Sequence, residues 1–195
     1  MLLAESILGD IPDSYALLAL MYFHFARIDT REDDLGALLL LEDQDRQKWD
    51  KQHIAIGITC LEMSANGDTI SRYHVEAGIA AEHCLSPSFK QTRWDNIVTS
   101  YELLERIAPS PLHLLNRAVA LAEWKGPEAG LAIFKSVDIP NWLSRTYYWY
   151  AVQADLMFRC GDRIRGRKYA DFAIEEAPTE HIKQLLLKRL LKGDC

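Results

Sequence analysis

The sequence predicts an all-α fold, an antiparallel array of helix pairs, and three observations carry that prediction. Apolar residues recur at spacings of three and four through most of the chain. Two- to six-residue breaks rich in Pro, Gly, Asn and Asp separate these stretches, short enough to make neighbouring helices antiparallel. Small residues recur where paired helices have to cross closely.

The elements follow in order. Residues 2–8 (LLAESIL) are helical in composition but begin without a cap, so Met1 is expected to fall inside a longer helix. Gly9-Asp10-Ile11-Pro12 breaks it, and Asp13 is the expected N-cap of a helix over 14–27. That helix is apolar nearly all round, so other helices should cover most of it. Residues 28–45 are the irregular insertion. RIDTREDDLG ends in a turn at Gly36, and ALLLL reads as a short buried strand or extended segment. From Asp45 the helical period returns, with Trp49, His53, Ile56, Cys60 and Met63 on one face. Asn66-Gly67-Asp68 closes it. Helices are then expected over 71–85, 94–107, 111–124, 127–137, 143–160, 162–177 and 180–191.

Composition fits one domain over 1–195. Apolar residues make up 49% and charged residues 26%, values that exclude wholesale disorder. No stretch reaches the ~20 apolar residues of a bilayer span. The longest apolar-rich run, YALLALMYFHFA, contains His24 and reads as a core helix. A basic region ahead of a cleavable apolar core is missing, so export is not expected and a reducing cytoplasm is. Cys60, Cys84, Cys160 and Cys195 form no CxxC or zinc spacing, and the six histidines form no ligand pattern; no metal or cofactor is expected. Net charge is −6, which argues against general nucleic-acid binding. Residues 1–50 carry 11 acidic and 4 basic side chains, and 151–195 carry 7 and 9.

Residues 150–178 match the tetratricopeptide (TPR) pattern. Ala154 takes the small position of the first helix, Gly161-Asp162 the turn, Gly166 and Ala173 the small positions of the second helix, and Pro178 the close. A fainter copy involves Pro109, Tyr101, Leu104 and Gly126, which makes 94–178 a degenerate TPR-like array.

Catalytic words are missing: no phosphate loop, no GxSxG elbow, no Ser/His/Asp set the sequence can place together. Asp43-Gln44-Asp45 resembles a calcium loop only superficially, with Lys48 where glycine is needed and Ile54 in the twelfth position. Two readings of Glu42-Asp43-Gln44-Asp45-Arg46 stand. In one, Asp43 or Asp45 caps the following helix, Arg46 pairs with a carboxylate and Trp49 anchors the helix in the core. In the other, the cluster edges a surface that recognises another domain. Arg159, Arg163, Arg165, Arg167 and Lys168 read as a solvated helix face, or as a contact for an acidic surface or nucleic acid.

One ordered set of words is more specific than any of these. It runs ALLALM (16–21), Arg27, Arg31, Gly36, LLLLEDQDRQKWD (38–50), YHVEAGIAAEH (73–83) and APSPLHLLNRAVALAEWKG (108–126), then the degenerate repeat. It resembles the TPR-like C-terminal extension of bacterial RNA polymerase sigma factors of the extracytoplasmic-function (ECF) type, with LEDQDRxxWD and PxxxLNRAxA as its most specific words. The resemblance implies a regulatory, non-enzymatic domain. It would modulate transcription initiation through the sigma factor's own N-terminal domains or the polymerase core. DNA would be met only through those sigma domains, which this chain does not contain, and no membrane contact is implied. Carried over from the motif, Glu42, Asp43, Gln44, Asp45, Arg46 and Trp49 form one interaction or structural cluster, and Asn116 and Arg117 a second. The alternative is a small-molecule sensor, which needs an apolar pocket with convergent polar groups. An enzyme ranks last.

Overall fold

The computed structural model describes residues 11–135 and 137–191. The expected helix over 2–8, the break at Gly9-Asp10 and Cys195 lie outside the described residues. Among these the chain is all-α, with nine helices and no strand. They are α1 (Pro12–Phe25), α2 (Lys51–Ser64), α3 (Arg72–Leu85), α4 (Trp94–Ile107), α5 (Pro111–Lys125), α6 (Pro127–Ile133), α7 (Tyr147–Arg159), α8 (Arg163–Glu175) and α9 (Glu180–Leu190). The sequence reads as one domain, whereas contacts group the chain into two compact units. Unit 1 is Met1–Glu32 with Leu39–Ala108, and unit 2 is Asp33–Leu38 with Pro109–Cys195.

In unit 1, α1 packs on both α2 and α3, and α3 packs on α4. α1 starts differently from expectation. Ile11 holds the N-cap position without a side-chain bond and Pro12 is the first helical residue, so Asp13 lies inside the first turn. Proline suits that place because its missing N–H has no helical partner there anyway. α1 and α2 run antiparallel: Phe25 and Tyr22 meet His53, and Phe23 lies over Gly57. A Cβ on Gly57 would sit 2.8 Å from the Phe23 ring. The buried face of α2 is Ile54, Gly57, Cys60 and Ser64. Ile56 and Met63, expected on that face, are exposed. The expected register took Trp49 as a helical residue, but it precedes the helix, and the true face is set by Gly57 fitting beneath Phe23.

The start of α3 is tied to the end of α2 by one imidazole. His74 accepts from the Ser71 N–H at Nδ1 (3.2 Å) and donates from Nε2 to the Ser64 carbonyl (3.1 Å). The core around Phe23 and Trp49 is completed by Leu18, Ala19, Ile54, Cys60, Ala77, Ala81 and Cys84. Cover over α1 is less complete than its composition implies, since Met21 and Phe25 are exposed.

The insertion is held by its own hydrogen bonds. Single 3-10 turns form at Ile28–Thr30 and Arg46–Lys48. Between them Asp33 Oδ1 accepts from the N–H groups of Ala37 (2.9 Å) and Leu35 (3.0 Å). Those bonds, the one from Ala37 foremost, hold its carboxyl below the usual carboxylate range. Residues 37–40 take the extended alternative rather than a strand, and are half-buried.

In unit 2 the repeat residues do what the pattern requires. α7 and α8 are antiparallel, with Phe158 against Gly166 and Tyr150 against Phe172. Gly161 (φ +82°) closes α7: its N–H donates to Phe158 and the next N–H, of Asp162, to Met157. This is a Schellman end, which favours glycine because a left-handed backbone crowds a Cβ. Asp162 then caps α8, accepting from the Arg165 N–H at 2.9 Å. Ala154, Ala170 and Ala173 are fully buried between the pair, with Leu186 and Leu190 of α9. α6 and α7 are shorter than expected. The stretch after α6 folds as turns, with buried Leu143 anchoring the approach to α7.

α5 and α6 make the closest approach. A Cβ on Gly130 would lie 2.6 Å from the Ala118 carbonyl oxygen and 2.9 Å from the Ala122 Cβ. Gly130→Ala is therefore expected to destabilise by about 1–3 kcal/mol through overpacking. Gly78→Ala, in α3 with nothing within 4 Å of the new methyl, should stabilise by about 0.5–1 kcal/mol. Urea melts of the two variants check both signs.

Candidate functional site

The LEDQDRxxWD segment builds a corner between the insertion and α2, and two aspartates shape it. Asp45 accepts from the Gln47 N–H (2.9 Å) and caps the Arg46–Lys48 turn. Asp50 accepts from the N–H groups of Gln52 (2.8 Å) and His53 (3.1 Å) and caps α2. The expected helix cap, Asp43 or Asp45, is thus displaced by five residues from the latter, because a 3-10 turn intervenes. Asp50 also donates its own N–H to the Ala26 carbonyl at 2.9 Å, which fastens the end of the insertion to the end of α1. Glu42 and Asp43 are exposed, while Gln44 is half-buried and reaches the Leu39 carbonyl at 3.4 Å.

Arg46 was expected to pair with a carboxylate. Instead its Nη1 donates to the carbonyls of His83 and Ser86 (3.1 Å for Ser86), at the C-terminal end of α3. Helix-terminal carbonyls lack intrahelical partners and carry partial negative charge, so here they take the place of the expected carboxylate as acceptors for the guanidinium. The same guanidinium stacks on Trp49 with its carbon 4.7 Å from the ring centre, and Arg27 lies over that indole at 5.6 Å. Trp49, 2% exposed, thus lies against two cations.

Arg27, His83 and Cys84 complete this cluster, and the sequence reading did not select them as site residues. The signal for Arg27 was its spacing: it lies four residues after buried Phe23, just past the end of α1. Burial first, then Arg27 and Arg46, push the His83 imidazole down to about 3, so it is neutral at pH 7. Burial drives the Cys84 thiol up to about 11 against the opposing pull of the nearby cations. A thiol of that kind stays protonated and is a poor nucleophile. The enclosed atoms Arg27 Nε, Arg46 Nη2, Trp49 Nε1 and His83 Nδ1 have no hydrogen-bond partner.

The other expected clusters are placed differently. Asn116 is exposed and Arg117 half-buried on α5, in unit 2, whereas the Arg46 corner belongs to unit 1. The small residues of the same PxxxLNRAxA word, Ala118 and Ala120, are buried. The basic stretch divides between two helices. Arg159 ends α7, where it bonds Glu123 and the Ala122 carbonyl (3.2 Å). On α8, Arg165 pairs with Asp162 and Arg167 with Asp171 (3.0 Å). Arg163 is exposed, and Lys168 lies 6.0 Å from the Phe172 ring centre. Among the described residues no three His, Cys, Asp or Glu side chains converge as a metal site, and no helix is long and apolar enough to cross a membrane.

Residues 1–65 match a family of unknown function, DUF6596. Over 163 residues, 84% of this chain, the sequence is 34% identical to an uncharacterized protein of Rhizobium meliloti (strain 1021). The matched part is 38% of that protein, so the chain spans less than half the length of this relative. No solved structure matches the chain.

Two outcomes test the corner. Arg46→Ala leaves the helix-end carbonyls without their charged donor and is expected to destabilise by about 2–3 kcal/mol. Arg46→Lys, which keeps the charge without the planar fork, should fall between it and the parent in urea melts. His83 binds its proton more weakly folded than unfolded, so its contribution is complete above the unfolded value near 6.5 and is lost as pH falls from there toward 3. At pH 5 the expected loss relative to pH 8 is about 2 kcal/mol, and His83→Phe should flatten that part of the pH–stability curve.

Proposed function

We propose that this chain is a regulatory protein-interaction domain of an ECF-type RNA polymerase sigma factor, acting in the cytoplasm by contact with sigma domains or polymerase core. The observation that carries the reading is the fate of the LEDQDRxxWD word. Its polar groups cap turns and bind helix-end carbonyls, so the segment that most resembles the sigma-factor extension serves to hold a helical platform in shape. Stacked helices of this kind act by presenting surface, and the domain has no turnover of its own in this account.

Surface suited to contact is present in both units. Trp124 and Trp142 of unit 2 are 46% and 55% exposed. Tryptophan is enriched at protein interfaces because a large ring offers contact area at little entropic loss. The Rhizobium relative extends well beyond the matched region, as a factor with separate sigma domains must. Contact with those domains in the same polypeptide needs no high intrinsic affinity, because a linker keeps the effective concentration high.

The test is transcription from the target promoter of the full-length factor, comparing the parent with Asp45→Ala, Arg46→Ala and removal of this domain. Output is expected to change in the deletion and in Arg46→Ala, with the smaller effect in Asp45→Ala, where one exposed cap is lost. Unchanged output in all three, with folded protein at parental abundance, rules the regulatory role out.

A further inference from the structure

One strip along α1 and the 3-10 turn that follows it is left open to solvent although the helix is apolar nearly all round. Met21, Phe25 and Ile28, spaced by four and three residues, are 38%, 48% and 52% exposed. With Leu20, His24 and Arg31 they line an open pocket of about 300 Å³ within unit 1. Apolar side chains form most of its wall, and the polar groups gather at one edge.

That edge is short of acceptors. Arg31 Nη2 (3.2 Å) and Arg27 Nη2 (3.4 Å) both approach the same atom, His24 Nδ1. A neutral imidazole offers one in-plane lone pair at that nitrogen, so two guanidiniums share what serves one donor well. Burial, followed by the two arginines, lowers the His24 pKa and keeps the ring in this accepting form. Among the described residues neither Arg27 nor Arg31 pairs with a carboxylate, whereas Arg93, Arg159, Arg165 and Arg167 each do. This is so even though residues 1–50 hold 11 acidic side chains against 4 basic ones. The deeper donors around Trp49 are enclosed by packing and offer no room; the recess beside Arg31 is open.

We propose that this pocket binds a small amphipathic carboxylate. An aliphatic or aryl body lies on Met21, Phe25 and Ile28, and the carboxylate takes the fork of Arg31, which supplies the second acceptor that the arginine pair lacks. A volume at the lower end of ligand pockets suits a short-chain or single-ring acid rather than a nucleotide or larger cofactor. The site stands apart from the docking role proposed above and neither requires the other.

Methyl-detected NMR of the whole chain, labelled at Met and Ile, tests this with octanoate, 3-phenylpropionate and octanol as probes. Saturable shifts at Met21 and Ile28 are expected with either acid, about tenfold weaker for octanol and for octanoate added to Arg31→Gln. Arg31 is exposed, and an unperturbed spectrum elsewhere verifies that the variant is folded. The proposal fails if neither acid saturates, if octanol binds as tightly as octanoate, or if Arg31→Gln binds like the parent. It also fails if the shifts come only with a synthetic Glu- and Leu-rich peptide, which would make the recess a protein-docking site.

Discussion

A single guanidinium sets the corner on which the first unit turns. Arg46 joins the carbonyls at the end of α3 to the face of Trp49, and Trp49 fills the space among α1, α2 and α3. An irregular insertion separates α1 from α2, and its backbone pairing is confined to one bridge, Leu39 N–H to Arg31 and Asp33 N–H to Ala37, which lies upstream of its exit. The Asp50 amide on the Ala26 carbonyl closes the insertion, and the Arg46 bonds decide where that closure lies relative to α3. Burying a cation without a carboxylate is unfavourable in itself. Here the helix-end carbonyls and the indole face offset part of that penalty, and burial, with a further contribution from the two guanidiniums, keeps the neighbouring His83 ring neutral.

Most of the helical architecture was legible because period and punctuation agree. α4 follows the expected bounds, and α3, α5, α8 and α9 differ from them by a residue or two, since Ser71, Ser110, Asp162 and Thr179 stand where capping chemistry requires them. The repeat logic was equally plain: Gly161 needs its left-handed backbone, and Gly166 lets Phe158 approach. The misreadings have a common cause. Trp49 and Asp13 were assigned by local pattern to helix and cap, whereas a 3-10 turn and Pro12 moved the true boundaries. A short turn of that kind leaves no periodic trace.

The site was only half legible. Asp45, Arg46 and Trp49 do form one structure, but the partner of Arg46 is backbone, and no side-chain pattern announces a carbonyl. Arg27 follows α1 while His83 and Cys84 belong to α3, and their convergence on Arg46 depends on packing. The open strip on α1 was hidden for a different reason: composition says how apolar a helix is, not which side its neighbours leave uncovered.

The structure as a whole separates holding from meeting. Conspicuous polar residues hold the insertion, and exposed apolar and aromatic side chains offer contact. Hydrogen exchange of Arg46→Gln tests that division most directly. The account predicts that the Asp50 amide and the amides of the Arg46–Lys48 turn lose protection while those of α7 and α8 keep theirs. Parental protection at Asp50, or an equal loss throughout both units, would contradict it.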